Sequence, residues 1–170
     1  PSICQSLQTN WTNPLIHYDS SSSIMAPFFA NRSCDPFTPV AQPCGLGNYV
    51  AYSVNVTEAR HVQLALRYAK QNNLRVVIRN TGHDYNGKST GAGALGIWMH
   101  NLKDIKVMEK YRGGSYSGPA IKMGAGVQGF EAYAAADKAG LRVVGGECPT
   151  VGIAGGYTQG GGHSALSSRY

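Results

Sequence analysis

The tetrapeptide Leu-Arg-Val-Val occurs twice, at 74–77 and at 141–144, and each copy ends a similar run of residues. Ahead of the first, Val50, Tyr52 and Val54 alternate as in a strand, and Thr57 is placed to cap a helix. Ala59, Val62, Leu66 and Ala69 then recur at helical spacing until Asn72 and Asn73 stop the helix, and 75–79 (Arg-Val-Val-Ile-Arg) returns to strand character. The second run repeats that order with a strand at 121–123, a helix from about 127 to 138 carrying Phe130, Tyr133 and Ala134, a stop at Gly140, and a strand at 141–144. Two strand-helix-strand units of this kind build a parallel or mixed sheet with helices laid on it. Residues 95–99 and 105–108 are further strand candidates, so the predicted class is mixed α/β.

Residues 1–48 are rich in Ser, Asn and Pro, include the run Ser20, Ser21, Ser22, Ser23, and show no sustained strand or helix period. They read as an irregular N-terminal surface arm with at most one short helix, ahead of a folded part at 49–170.

The net charge of +6 invites a nucleic-acid partner, but the Lys and Arg residues are scattered and no basic cluster is interleaved with aromatics, so none is expected. No stretch reaches the roughly 18 apolar residues of a membrane span, so no membrane partner is expected either. The chain opens at Pro1 without a charged-then-apolar leader, so any signal peptide is expected to be already removed. Asn10-Trp11-Thr12, Asn31-Arg32-Ser33 and Asn55-Val56-Thr57 are glycosylation sequons, which predicts N-glycans at Asn10, Asn31 and Asn55 and a secreted, extracellular protein. Cys34 and Cys44 bracket a short Pro-rich loop that a disulfide can close in that compartment, with Cys4 as an alternative partner, since four cysteines allow three pairings. Cys148 stands apart in a glycine-rich segment that offers little packing for a structural bridge to reinforce.

Both Leu-Arg-Val-Val copies lead into loops. After the first comes Arg79-Asn80-Thr81-Gly82-His83-Asp84-Tyr85; after the second comes Gly145-Gly146-Glu147-Cys148-Pro149-Thr150-Val151-Gly152, then Gly155-Gly156 and Gly160-Gly161-Gly162. Glycines let backbone N–H groups approach a ligand and gather into a concavity that suits phosphate. The same glycines fit a plain stretch of tight turns. There is no Gly-Lys-Ser/Thr ending and no G-x-G-x-x-G between strand and helix, which excludes the P-loop and Rossmann patterns. His83 and Cys148 occupy corresponding places beyond the two copies. Their plainest readings are a turn histidine and a small buried hydrophobe. A zinc site recruiting His163 lacks paired ligand spacing, and a Cys-His dyad needs a thiolate-stabilising setting that is not visible in the sequence.

The first loop resembles the R-x-x-G-H-[DS]-Y signature of the vanillyl-alcohol-oxidase-like FAD-binding domain. Cys148-Pro149-Thr150-Val151-Gly152 with the following glycines resembles the second signature of its berberine bridge enzyme-like branch, and the resemblance runs from about residue 49 to 170. It implies an α+β fold, the FAD-binding domain of vanillyl-alcohol-oxidase type with two small sheet-plus-helix subdomains. It implies FAD held by two covalent bonds, from His83 to the 8α-methyl carbon and from Cys148 to carbon 6 of the flavin. Asn80, Thr81, Gly82, Asp84 and Ser89 would serve the pyrophosphate side. Gly146, Val151, Gly152, Gly156, Gly160, Gly161 and Gly162 would run along the flavin and ribityl chain. The resemblance further assigns Val151 to the place where reduced flavin meets oxygen: valine looks like the oxidase version, leucine or isoleucine like the dehydrogenase version. Tyr157 after Gly155-Gly156, and His163-Ser164 after Gly162, depart from the commonest form of the second signature.

The expectation is therefore a secreted FAD-dependent oxidase that takes hydride from an alcohol, sugar or specialised-metabolite carbon and reduces O2 to hydrogen peroxide. Its base and substrate domain are expected downstream in a longer chain. The competing expectations are a dehydrogenase of the same family and a secreted, non-enzymatic glycan-binding or structural glycoprotein.

Overall fold

The structure, a computed structural model, describes residues 2–23 and 33–169, in two compact units, Pro1–Met99 and His100–Tyr170.

In the first unit two helices, α1 (Ile3–Asn10) and α2 (Leu15–Tyr18), precede a three-stranded parallel sheet. Its strands are β1 (Tyr52–Asn55), β2 (Val76–Arg79) and β3 (Leu95–Trp98), and α3 (Ala59–Gln71) links β1 to β2. The spatial order is β1-β3-β2, so the two strands joined by α3 are not neighbours. Strand β3 lies between them, pairing Tyr52 and Val76 with Leu95, and Asn55 and Arg79 with Trp98. Gly96 in β3 admits this packing, because a Cβ there would meet Ser53 Oγ at 3.0 Å and Val50 Cγ2 at 3.2 Å. Val50, Val77 and Ala94 form a buried cluster, and α3 lays its small buried residues Ala65 and Ala69 on the β1 and β3 side.

Helix α3 ends as expected, with Asn72 donating from Nδ2 to Tyr68 O at 2.9 Å and Asn73 in the left-handed region at φ 51. Its start differs. Glu58, not Thr57, is the N-cap residue, and Thr57 is engaged instead with the His61 ring at 3.4 Å.

The N-terminal arm is more regular than its composition predicts. Ser2 caps α1 through Oγ, 3.3 Å from Gln5 N, and α1 is tied to the following loop by Gln8 Nε2 donating to Pro36 O at 2.6 Å. That loop is closed by the Cys34–Cys44 disulfide, which settles the pairing; Cys4 and Cys148 are free thiols. Asn10 and Asn55 are exposed, whereas Asn31 lies outside the described residues.

The second unit is an antiparallel hairpin with a helix. Strands β4 (Ile105–Gly113) and β5 (Tyr116–Met123) pair around Gly114, which has φ 56, with an irregularity between Met108 and Tyr111. The sequence-predicted strands at 105–108 and 121–123 are thus the outer ends of longer ones. Helix α4 (Gly129–Lys138) packs on β4, and Gly140, at φ 67, ends it. The second Leu-Arg-Val-Val is not a strand. Leu141 N donates to Ala136 O of the helix end at 2.9 Å, and among the described residues no strand pairs with 141–144. A groove of about 350 Å³, lined by Ile121, Met123, Leu141 and Val143, lies between this segment and β5. The second unit therefore does not extend into the parallel or mixed sheet predicted for it. Residues Ile153–Tyr157 form one wide helical turn broken at Gly155. Among the described residues no helix is long and apolar enough to cross a membrane.

Candidate functional site: two loops and their supports

In the first unit, β2 delivers Arg79 into the interior at 2% exposure. The chain then bends through Asn80, buried Thr81 and Gly82, whose φ of 86 belongs to the left-handed region that favours glycine. A Cβ at Gly82 would stand 3.1 Å from Arg79 Nε, so the loop lies directly against the guanidinium. Arg79 Nη2 donates to His17 O at 2.9 Å, while Nε and Nη1 have no partner among the described residues. Burial lowers its pKa to about 10, which leaves it a cation at neutral pH.

Behind that bond stands α2. Buried His17 holds Ser23 Oγ with Nδ1 at 2.5 Å and Trp11 O with Nε2 at 2.8 Å, its ring set edge-on to Trp11 at 4.9 Å. The next residue, buried Tyr18, places its ring 6.4 Å from that of His83 at 34°. Beyond His83, Asp84 organises the following turn by accepting from Asn86 N at 3.0 Å and Lys88 N at 2.6 Å, with Lys88 Nζ at 3.1 Å. Partial burial opposes ionisation of Asp84, but the Lys88 and Asn86 hydrogen bonds and the Lys88 charge outweigh it and hold the carboxyl below its usual range. Ser89 follows on the same connection, half-buried.

In the second unit the loop after Cys148 is laid across the first turn of α4. Gly129 N donates to Val151 O at 2.9 Å and Phe130 N to Pro149 O at 2.8 Å, while Ile153 N reaches back to Val127 O at 3.0 Å. These first helical N–H groups have no partner within the helix, so the loop satisfies them. Gly129 allows the approach: a Cβ there would sit 3.2 Å from Pro149 O. Buried Gly152 bridges Gln128 in an antiparallel pair. On the other side of Cys148, the Tyr133 hydroxyl donates to Gly146 O. Burial and then the neighbouring Tyr157 raise the Tyr133 pKa.

A cavity of about 560 Å³ opens here, lined by Tyr133, Gly146, Cys148, Val151, Tyr157, Gly162 and His163 among others. The volume is in the range of small-molecule sites. The exposed Cys148 thiol and half-buried Val151 thus share one wall system, with Cys148 Sγ 3.6 Å from Thr150 Oγ1. The Tyr157 ring fills the space that a side chain at Gly162 or Gly146 would need, with Cβ approaches of 2.4 and 3.1 Å. Gly160 N donates to Gly156 O at 2.8 Å and Gly161 has φ 71, so these two glycines shape the turn; Gly156 has open space beside it.

Asn80, Thr81, Gly82, His83, Asp84 and Ser89 are thus gathered on one connection of the first unit. Gly146, Cys148, Val151 and Gly162 are gathered on one cavity of the second. Among the described residues no three His, Cys, Asp or Glu side chains are placed to hold a metal ion. Sequence reading passed over His17, Tyr18, Lys103, Gln128 and Glu131, and took Arg79 only as the start of the first signature and Tyr133 only as a helix residue. Gln128 and Glu131 did leave a trace, since they stand at capping-box spacing.

A parallel sheet whose strand end feeds a glycine turn, and a second glycine-rich loop beside a cavity, define a cofactor-binding class of domain. The FAD binding domain family matches residues 50–170. An FAD-linked oxidoreductase of Gibberella zeae is 61% identical over 168 residues, 99% of this chain and 30% of that protein. A VAO-type flavoprotein oxidase of Thermothelomyces thermophilus is 57% identical over 98% of this chain and 29% of its own length. The crystal structure of a VAO-type flavoprotein from Myceliophthora thermophila C1 superposes with a TM-score of 0.94 at 57% identity, covering 98% of this chain and 31% of that one. The chain belongs to the FAD binding domain family, in its VAO-type group of FAD-linked proteins, and it spans about 30% of the length of these relatives.

The residues present fit such a cofactor. The buried Arg79 cation, with two unpartnered N–H-bearing nitrogens, lies against a loop suited to an anionic pyrophosphate. The Cys148 cavity sets a free thiol beside Val151, Ile153 and several glycines, with Glu147, His163 and Ser164 also on its lining.

Proposed function

We propose that this chain, with 49–170 as its incomplete FAD-binding domain, is the cofactor-holding part of a secreted flavoprotein oxidase that carries FAD on two covalent bonds, to His83 and to Cys148. The observation that carries the reading is the single cavity that contains both the free Cys148 thiol and Val151. Held there, FAD would supply hydride acceptance from an alcohol, sugar or specialised-metabolite C–H and two-electron reduction of O2 to hydrogen peroxide. The chain's own residues bind and orient. Asn80 to Asp84 and Ser89 would hold the pyrophosphate side, Tyr18 steadies the His83 ring, and the loop of Gly146, Gly152, Gly156 and Gly160 to Gly162 would run along the flavin and ribityl chain. Val151 leaves open the approach of O2. The base that takes the substrate proton lies outside these residues. N-glycans at Asn10, Asn31 and Asn55 accompany secretion.

The test uses the full-length protein. A yellow colour that stays with the acid-precipitated protein supports the covalent reading, and a colourless precipitate under a yellow supernatant overturns it. Reoxidation of the photoreduced protein by O2 within seconds supports an oxidase, whereas minutes or longer point to the dehydrogenase of the same family. A protein that never takes up flavin leaves the non-enzymatic glycoprotein as the reading.

A further inference from the structure

We infer that Gln128 is the positioning residue for the Cys148 thiol, acting through a side-chain hydrogen bond to the loop that carries it; this rests on the two-bond reading above. Three successive carbonyls follow Cys148, those of Pro149, Thr150 and Val151. They lie on a turn, with Val151 N donating to Cys148 O at 3.4 Å. The backbone of α4 takes the first and third, through Phe130 N at 2.8 Å and Gly129 N at 2.9 Å. The middle one is taken by a side chain, with Gln128 Nε2 donating to Thr150 O at 2.8 Å from a residue only 4% exposed.

A glutamine amide can turn over, exchanging donor for acceptor. Two donors remove that freedom. The backbone N–H of Glu131 donates to the Gln128 side chain in the capping box, and the Lys103 ammonium, which only donates, lies 3.2 Å from Gln128 Oε1, so the NH2 group is left facing Thr150 O. Lys103 is held in turn by Glu131 Oε2 at 2.6 Å, the same oxygen that accepts Gln128 N at 2.8 Å. Lys103, Glu131 and Gln128 thus form a polarised chain ending on the residue whose hydroxyl lies 3.6 Å from Cys148 Sγ. Its effect is to hold the thiol where the carbon–sulfur bond forms. In that bond Cys148 gives up its S–H proton, flavin carbon 6 gives up its hydrogen as a proton, and the two electrons released are taken by O2 as hydrogen peroxide forms.

The experiment uses the full-length chain in a His83→Ala background, where Cys148 offers the only covalent bond, and follows the growth of acid-stable flavin at saturating FAD. Gln128→Glu keeps the length and an acceptor for Lys103 but loses the donor for Thr150 O. It is expected to slow the bond about tenfold, the effect of one lost buried hydrogen bond. In a Cys148→Ala background the same substitution should leave formation of the His83 bond unchanged, which a general loss of structure would not. Lys103→Met leaves Gln128 in place but removes one of the two donors that hold its amide oxygen; it should slow the Cys148 bond by a smaller factor, and serves if Gln128→Glu fails to fold. Equal rates with and without the Gln128 substitution, or equal slowing in both backgrounds, overturn the role of Gln128 alone. Absence of acid-stable flavin from the His83→Ala parent overturns the two-bond reading, and the role of Gln128 with it.

Discussion

The guanidinium of Arg79 donates to the backbone carbonyl of His17 across 62 positions of sequence, at 2.9 Å in the interior of the first unit. One hydrogen bond thereby ties the N-terminal arm to the strand end from which the His83 loop departs. Arg79→Ala removes that bond and opens a cavity, and a loss of about 2–3 kcal/mol is expected. Arg79→Met keeps most of the packing and also removes the two unpartnered nitrogens, so it should lose less than half as much. Thermal unfolding of the two variants against the parent measures the difference.

Asp84 gives a pH dependence of definite sign. Its folded pKa lies below the unfolded value, so its contribution is fully present above the unfolded pKa and is lost as pH falls through the folded one. The stability gap between the parent and Asp84→Asn should be constant from neutral pH down to about 5, then shrink below about 4, the ordinary aspartate range. Unfolding midpoints across that series, at fixed salt, provide the measurement. A gap that widens toward acid would contradict the hydrogen-bonded carboxylate.

Gly129 sits in the first turn of a helix, where alanine ordinarily gains about 1 kcal/mol over glycine. Here the added Cβ would stand 3.2 Å from Pro149 O, which is pinned by Phe130 N. The contact should reverse the sign, so Gly129→Ala is expected to lower the unfolding midpoint. Gly156→Ala, with open space beside it, is expected to leave the midpoint of the flavin-free protein unchanged.

Val151 tests the oxygen reading. One extra methylene in a fitted site changes discrimination by about tenfold or more. Val151→Ile in the full-length protein should slow reoxidation of the photoreduced flavin by O2 by about that factor while leaving its reoxidation by an artificial electron acceptor unaffected. Stopped-flow absorbance follows both, and an unchanged reoxidation rate would remove Val151 from the oxygen path.

Much of the first unit was legible in the sequence because its periods are local. The strand around Tyr52 and Val54, the α3 helix and the Asn72–Asn73 stop depend on near neighbours and appear where expected, although Val50 precedes β1 and the buried face of α3 runs through Ala65 and Ala69 while Leu66 is exposed. The repeated Leu-Arg-Val-Val shows where this kind of reading fails. The first copy runs into a strand because β3 lies beside it, whereas the second is tied through Leu141 N to Ala136 O and has no strand alongside among the described residues. Strand character belongs to the pairing as much as to the words. The arm looked irregular because α1 and α2 are short and are fixed by distant contacts, to Pro36 O and to Arg79. The two signature loops could be read directly, but their supports could not. Gln128 meets Thr150 across 22 positions through an amide whose oxygen is held by the Glu131 backbone and by a lysine 25 positions upstream.

The strand order has a consequence for the chain as it is made. The strand Tyr52–Asn55 and the strand Val76–Arg79 are not neighbours, since among the described residues each pairs only with Leu95–Trp98. During synthesis both wait with bare inner edges until residue 98 has emerged, and a bare edge is a template for any extended chain nearby. Chains interrupted within that interval are the ones expected to associate wrongly. The late central strand is thus a checkpoint for biogenesis: until it arrives there is no floor on which a loop could receive a cofactor.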